Sequence, residues 1–182
     1  MNESYSYWTF GDIFEEAGVP YTPFHGGFGM VANGVIPKPT FWAFKFFKEL
    51  QKAQEAQGDC VYKDKNLVII KNDKGYTGVL WNDSRVRTGE DIDFDITLPA
   101  SASEYFMSTK LVDEETCNPL KIWHDMGQPS SLSASQKELL RDASSPLIKS
   151  SIIKASGETM NIKINLKETT IYGKRTKLTC PV

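Results

Sequence analysis

Trp8, Asp12, Glu15 and Glu16 lie within nine positions of one another and are the residues of this 182-residue chain best suited to chemistry. An indole beside carboxylates fits a sugar: the carboxylates accept hydrogen bonds from paired hydroxyls while the ring stacks on the apolar face of a pyranose. The same spacing also fits a solvated acidic loop, and it does not choose between the two. Bond cleavage is a poorer match. A retaining glycosidase holds its two carboxylates about 5–5.5 Å apart on opposite sides of one glycosidic bond. Glu15 and Glu16 are consecutive, and consecutive side chains in extended backbone point to opposite faces, so both would approach from one loop. They are read as binding residues.

Other catalytic vocabulary is sparse. The chain has no G-x-G-x-x-G, P-loop or G-x-S-x-G sequence. His25 and His124 lie far apart, with no cysteine or second histidine at metal-ligand spacing, and are read as loop or packing residues. Cys60 and Cys117 have no flanking cation that would mark an activated thiolate. Asp91, Asp93 and Asp95 are read as a solvated strand face, because no Gly-kinked loop or closing Glu sits where a calcium loop needs it. No metal and no cofactor is expected.

The elements that must position Trp8 and its carboxylates begin with an aromatic run. Of 21 aromatic residues, 13 fall in positions 1–58, whereas charge is evenly spread: 4 basic and 6 acidic groups there, 17 of each beyond. A dense core and an aromatic-lined cleft both account for that bias. Tyr5 to Phe10 reads as a buried strand. A loop of about 25 residues, rich in Gly and Pro, follows; such long connections tend to carry function. A helix is then expected from Thr40 to about Gln57, stopped by Gly58. Its apolar face is Ala43, Phe44, Phe46, Phe47 and Leu50, its polar face Lys45, Lys48, Glu49 and Lys52. Phe41 and Trp42 fall toward the polar side, so another segment must wrap the first turn. One strand-loop-helix step cannot close a domain, since a parallel strand needs neighbours on both sides. Residues 1–58 are therefore expected to be the end of a larger α/β domain. The alternative is a small α+β fold whose strand joins an antiparallel sheet.

Beyond Gly58 the pattern is all-β. Strands are expected at Cys60–Tyr62, Leu67–Lys71, Tyr76–Trp81, Ile92–Leu98, Tyr105–Leu111, Leu147–Lys154, Met160–Leu166 and Thr170–Lys177. Ile92, Phe94, Ile96 and Leu98 alternate with polar residues, as do Met160, Ile162, Ile164 and Leu166, the mark of strands with one dry face in a two-sheet sandwich. A helical insertion near 116–145 interrupts them. It comprises a short segment packing Ile122, Trp123 and Met126, and a helix from a capping box, Ser133/Gln136 or Ser135/Glu138, to Pro146.

Length and mass, 182 residues and 20.5 kDa, allow one domain or one domain with part of another. With 21 Lys+Arg against 23 Asp+Glu, net charge −2, no basic excess exists to neutralise phosphates, so neither nucleic acid nor a membrane surface is expected as a partner. No apolar run approaches the ~20 residues that cross a bilayer, and MNESYSYWTF lacks the pattern of a secretory signal. Cys60, Cys117 and Cys180, odd in number, read as reduced thiols of a cytoplasmic protein.

The stretch Tyr7-Trp8-Thr9-Phe10-Gly11-Asp12-Ile13-Phe14-Glu15-Glu16, then Pro23-Phe24-His25-Gly26-Gly27-Phe28-Gly29, then Ile36-Pro37-Lys38-Pro39 leading into Phe41-Trp42-Ala43-Phe44, resembles the last barrel strand, loop and helix of family 39 glycoside hydrolases. These are the β-D-xylosidases related to α-L-iduronidase. Asn118-Pro119 through Trp123, Met126-Gly127, Pro129 and the Leu139-Leu140 helix resemble the C-terminal β-sandwich of the bacterial β-xylosidases. The resemblance covers nearly the whole chain, fades from about Lys167, and corresponds to the C-terminal part of a family member. It implies a mainly β fold: residues 1–58 as the last strand-loop-helix unit of a truncated (β/α)8 barrel, and residues 59–182 as an antiparallel β-sandwich. It further implies a retaining mechanism, with an acid/base Glu on Asn-Glu-Pro after the fourth barrel strand and a nucleophilic Glu after the seventh. This sequence has no Asn-Glu-Pro, its sole barrel strand would be the eighth, and so no catalytic residue is expected in it. By resemblance Trp8 forms part of the platform for the non-reducing xylose, Glu15 and Glu16 hydrogen-bond that sugar, and the Trp8–Thr9 peptide is cis. The chain then reads as a fragment, inactive alone, of an enzyme acting on a xyloside or xylo-oligosaccharide. The competing expectation is a non-catalytic β-sandwich module for carbohydrate binding or oligomerisation. Truncation would expose an apolar patch and lead to self-association.

Overall fold

The computed structural model describes residues 6–13, 18, 21–82, 90–168 and 170–178. In chain order come a short hairpin, β1 (Val31–Ala32) and β2 (Ile36–Pro37), a helix α1 (Pro39–Glu55), and strands β3 (Asp59–Asp64), β4 (Leu67–Asn72), β5 (Gly75–Asn82), β6 (Ile92–Pro99) and β7 (Glu104–Val112). Helices α2 (Pro119–Asp125) and α3 (Ala134–Ala143) follow, then β8 (Leu147–Lys154), β9 (Thr159–Leu166) and β10 (Thr170–Leu178). The fold is mainly β, antiparallel, with few helices. Two compact units divide the chain, one of residues 1–43 with 115–146, the other of residues 44–114 with 147–182.

The second unit is built on a six-stranded sheet in the order β3-β4-β5-β10-β7-β8 and a two-stranded sheet β6-β9. All eight strands expected beyond Gly58 are present, within two residues at each end. The two strands with the clearest alternation are each other's partners: Ile92 lies opposite Leu166, Phe94 opposite Ile164, Ile96 opposite Ile162 and Leu98 opposite Met160. Their dry faces close on Leu67, Ile69, Tyr76, Leu80 and Tyr105 of the larger sheet, forming one core. On the wet face Asp93 accepts from Asn165 at 2.9 Å, and Asp95 accepts from Asn161 at 2.5 Å and pairs with Lys163 at 3.6 Å. Cross-strand partners thus answer Asp93 and Asp95 of the acidic row, and among the described residues no group of three His, Cys, Asp or Glu side chains could hold a metal.

Tyr105 sits in this core with its hydroxyl oxygen at the turn before β7, accepting from the amides of Ser101 at 2.7 Å and Ala102 at 3.1 Å. Burial pushes its phenol up, but hydrogen bonds from the Ser101 hydroxyl and from those amides, aided by the charge of Lys71, outweigh it and hold the pKa below its usual 10.0. A depressed folded-state pKa contributes stability that is full above 10.0 and is lost as pH falls through the lowered value. Alkaline titration followed by phenolate absorbance is expected to show one tyrosine ionising ahead of the rest. Tyr105→Phe should remove that early phase and, by leaving amides without their acceptor, cost about 1–3 kcal/mol. An unchanged titration would show that the early phenol is elsewhere.

The opposite face of the large sheet is covered by the part of α1 that belongs to this unit. Phe46, Leu50 and Ala53 are its buried residues, Phe47 tilts against Trp81 with ring centroids 5.8 Å apart, and Glu49 pairs with Lys110 of β7 at 3.5 Å. The helix ends differently from expectation. The residue in left-handed backbone is Gln57, φ 59°. Gly58 is needed for another reason: a Cβ there would lie 2.3 Å from the Ala53 carbonyl oxygen and 2.6 Å from Ile70.

In the first unit, α2 and α3 are too short to be stable alone. They pack on the β1–β2 hairpin instead, Trp123 and Leu140 against Ala32 and Ile36, with Phe24, Ile122, Met126 and Leu132 around them. The 116–145 segment, expected as an insertion in the β region, thus shares its core with residues of the first 43. Of the two capping boxes that the sequence allowed, Ser133/Gln136 is formed.

Residues 6–10 of the expected buried strand are neither strand nor buried: Tyr7, Trp8 and Phe10 are exposed. Tyr5 lies outside the described residues. A strand is defined by its neighbours, and within the described residues this segment has one on a single side. The Phe10 carbonyl accepts from Val31 N at 3.0 Å, the Thr9 carbonyl from Met30 N at 3.1 Å, and an isolated parallel bridge joins Gly11 to Val31.

Candidate functional site

The segment carrying Trp8 is held by a buried clasp. Asp12, wholly buried, accepts from Gly29 N at 2.6 Å through Oδ1 and pairs with Lys38 Nζ at 2.5 Å through Oδ2. Its own amide donates to Val31 O at 2.9 Å, and Lys38 Nζ also donates to Gly27 O at 2.9 Å. One carboxylate therefore ties residues 27–31 and 38 to the segment after Trp8. Two glycines make the approach possible. A Cβ on Gly27 would stand 2.7 Å from Asp12 Oδ1, and one on Gly29 2.5 Å from both Asp12 N and Oδ1. Asp12 is buried, with Oδ1 bonded to Gly29 and Oδ2 set against the Lys38 ammonium, so it is closed to a sugar hydroxyl and leaves the set of candidate binding carboxylates.

The clasp is continuous with the helical part of the unit. The Gly34 carbonyl, at the turn of the hairpin, accepts from Arg141 Nε at 3.1 Å and Nη2 at 2.6 Å. Trp42 Nε1 donates to Ser144 O at 2.6 Å, which identifies the segment wrapping the first turn of α1. The Cys117 thiol donates to the same carbonyl at 2.9 Å. The result is a fixed scaffold beneath an exposed aromatic surface.

On that surface Trp8 is 69% and Phe10 65% exposed, and Phe28 also faces solvent on the neighbouring parallel segment. The Trp8–Thr9 peptide is cis, as the resemblance implies. An indole presented on a rigid base can stack on a sugar. Glu15 and Glu16, the hydroxyl acceptors expected beside it, lie outside the described residues. Sequence reasoning missed the Asp12–Lys38 pair and the part played by Gly27 and Gly29. The signal available for them was the run Gly26-Gly27-Phe28-Gly29, whose lack of side chains marks a close backbone approach.

Comparison with known proteins bears on this arrangement. The family glycosyl hydrolases family 39 matches residues 1–160. A β-xylosidase of Geobacillus stearothermophilus is 39% identical over 145 residues, 78% of this chain and 27% of its own length. A β-xylosidase of Caldicellulosiruptor saccharolyticus is 34% identical over 145 residues, covering 77% and 29%. This chain thus spans between a quarter and a third of the curated relatives it matches. Among solved structures, the family 39 enzyme of Xanthomonas axonopodis pv. citri superposes with a TM-score of 0.79 at 22% identity, over 96% of this chain and 37% of that one. A monomeric β-xylosidase of Caulobacter crescentus superposes with 0.77 at 21%, over 97% and 38%. At such identities the structural likeness speaks for the fold.

Proposed function

The chain belongs to glycosyl hydrolases family 39, and from that premise we propose that it forms the sugar-holding, non-cleaving part of a β-xylosidase. Trp8 supplies the stacking surface, and Glu15 and Glu16 the hydroxyl acceptors, for the terminal xylose of a xyloside or xylo-oligosaccharide. The acid/base and nucleophile of a retaining hydrolysis come from outside these residues. One observation carries the reading: the family match extends over residues 1–160 while the chain spans only 27% and 29% of relatives named β-xylosidase, in a sequence with no Asn-Glu-Pro. Residues 1–58 are then the last strand-loop-helix step of a (β/α)8 barrel and residues 59–182 its β-sandwich partner. The exposed aromatics at positions 8 and 10 support this, since that edge is where further barrel strands would lie. No helix among the described residues is long and apolar enough to cross a membrane. The odd, unpatterned set Cys60, Cys117 and Cys180 supports a cytoplasmic setting for this chain.

An aryl β-xyloside tests the catalytic half: the chain by itself is expected to give no turnover above buffer, and turnover would mean that an acid/nucleophile pair lies within it. The self-contained core of the second unit favours a second reading, a carbohydrate-binding or assembly module. Calorimetric titration with xylo-oligosaccharides separates the two. Under the first reading Trp8→Ala weakens binding by about tenfold, the worth of one stacked ring; under the second, affinity is indifferent to Trp8.

A further inference from the structure

Asn33-Gly34 is the one Asn-Gly step in the sequence; every other asparagine is followed by a side chain or a proline ring that crowds the next backbone nitrogen. The step forms the tip of the β1–β2 hairpin. Ala32 pairs with Ile36, leaving Asn33, Gly34 and Val35 as the loop. Gly34, φ 89°, and Val35, φ 61°, are both in left-handed backbone. For a β-branched residue that conformation is strained, and Val35 is 70% exposed, so no burial of its side chain offsets the strain. The loop is held from its flanks instead. Ile36 is wholly buried, and Arg141 of α3 donates twice to the Gly34 carbonyl.

Asn33 and Gly34 share a cavity of about 100 Å³ with Ser131 and Lys137, roomy enough for several waters. Lys137 Cγ lies 3.8 Å from where a Cβ on Gly34 would stand. Lys137 and Arg141 are one turn of α3 apart, so both cations reach the hairpin tip from one face of that helix. The Gly34 amide and the Asn33 side chain make no hydrogen bond to any described residue. An unpartnered backbone nitrogen thus sits one ring closure from an unpartnered side-chain amide, in contact with water and beside two cations.

We infer that Asn33-Gly34 is a site of self-modification, at which the chain closes a succinimide and water reopens it. The Gly34 nitrogen gives its proton to water and attacks Asn33 Cγ. The new C–N bond places negative charge on the side-chain oxygen. Collapse of that oxyanion breaks the bond to the side-chain nitrogen, which takes a proton from water and leaves as ammonia. A second water then adds to either ring carbonyl. One opening gives aspartate in an ordinary backbone; the other gives isoaspartate, with the backbone rerouted through the former side chain. One water is consumed and one ammonia released. The deprotonated nitrogen, the oxyanion and the product carboxylate are all anions, and each is favoured by the ammonium and guanidinium beside it. Isoaspartate adds a methylene to the backbone of a three-residue loop. Ala32 and Ile36 cannot then stay paired while Gly34 O stays on Arg141, so the hairpin loosens its hold on Trp123 and Leu140. The inference does not depend on the sugar-binding reading.

The 182-residue chain is incubated in mildly alkaline buffer and followed by peptide mapping with mass spectrometry and by enzymatic methylation of isoaspartate. Asn33 is expected to convert before any other asparagine. Lys137→Gln should slow the conversion about threefold, the scale of one partly exposed cation, and Lys137→Arg should restore the rate; circular dichroism checks that both variants are folded. Asn33→Gln, whose longer side chain closes a larger ring more slowly, should keep the urea midpoint that the wild-type chain loses on incubation. Earlier conversion of another asparagine would overturn the site. A rate indifferent to Lys137→Gln would overturn the part given to the cations, and an unchanged midpoint after Asn33 has converted would overturn the consequence for the hairpin.

Discussion

Asp12→Ala is expected to destabilise the first unit by about 3 kcal/mol or more, the range for breaking a buried ion pair from one side. The substitution removes the acceptor of Gly29 N and the partner of Lys38 together. Lys38 keeps Gly27 O and a side chain 19% exposed, so water reaches part of its charge, which places the loss toward the lower end of that range. Two further variants apportion it. Asp12→Asn offers Gly29 an acceptor but turns a second donor toward the ammonium, and should recover only the amide part. The pair Asp12→Ala with Lys38→Met removes both charges and should recover most of the loss, because a buried pair is costly chiefly when half of it remains. Urea unfolding followed by tryptophan emission reads all three. A change in Asp12→Ala within about 0.5 kcal/mol, the scale of an ordinary surface substitution, would mean that the carboxylate is not what fastens the loop.

Gly173→Val is expected to cost about 3 kcal/mol, the upper end for overpacking a core. Gly173 lies in β10, between Val79 of β5 and Lys110 of β7. A Cβ there would stand 2.8 Å from two ring atoms of Phe46 and 3.0 Å from a third. Phe46 is itself buried and anchors α1 to the sheet; its flat ring has no flexible end to move aside, so either the helix lifts or β10 bends. Gly173→Ala should show the same effect at smaller size. Phe46→Leu in the Gly173→Ala background should restore part of the loss, as contacting sites do not add. Full additivity in that cycle would show that the ring and the glycine do not meet.

Much of the β region is legible from residue order because its signal is local. The alternation at 92–98 and 160–166 depends only on which side chains are apolar, and the two strands that carry it pair with one another. The caps of α2 and α3 are equally local: Asn118 accepts from Lys121 N, and Ser133 and Gln136 exchange bonds. What could not be read is set by partners far away in sequence. Tyr7, Trp8 and Phe10 have strand-forming side chains, but a strand also needs neighbours, and among the described residues the backbone of this segment bonds to Met30 and Val31 on one side. Trp42 reaches Ser144 across 102 positions, and no periodicity announces such a contact. Gly58 looks like a helix stop, yet Gln57 takes the left-handed turn and Gly58 makes room for Ala53 O. At the candidate site, composition singled out an acidic cluster but could not say that Asp12 would turn inward.

The position of β10 bears on how the protein is made. It is synthesised after every other described strand, yet it lies between β5 and β7 and supplies the hydrogen bonds that join the two halves of the large sheet. A nascent polypeptide that has not yet released Thr170 from the ribosome holds β3-β4-β5 and β7-β8 as separate ribbons, with the groove meant for the missing strand open between them. Contacts of such long sequence separation form slowly, and unpaired edges invite aggregation while they wait. Translation therefore has to finish nearly the whole of this sequence before the sheet can knit, and in that interval the chain depends most on chaperones.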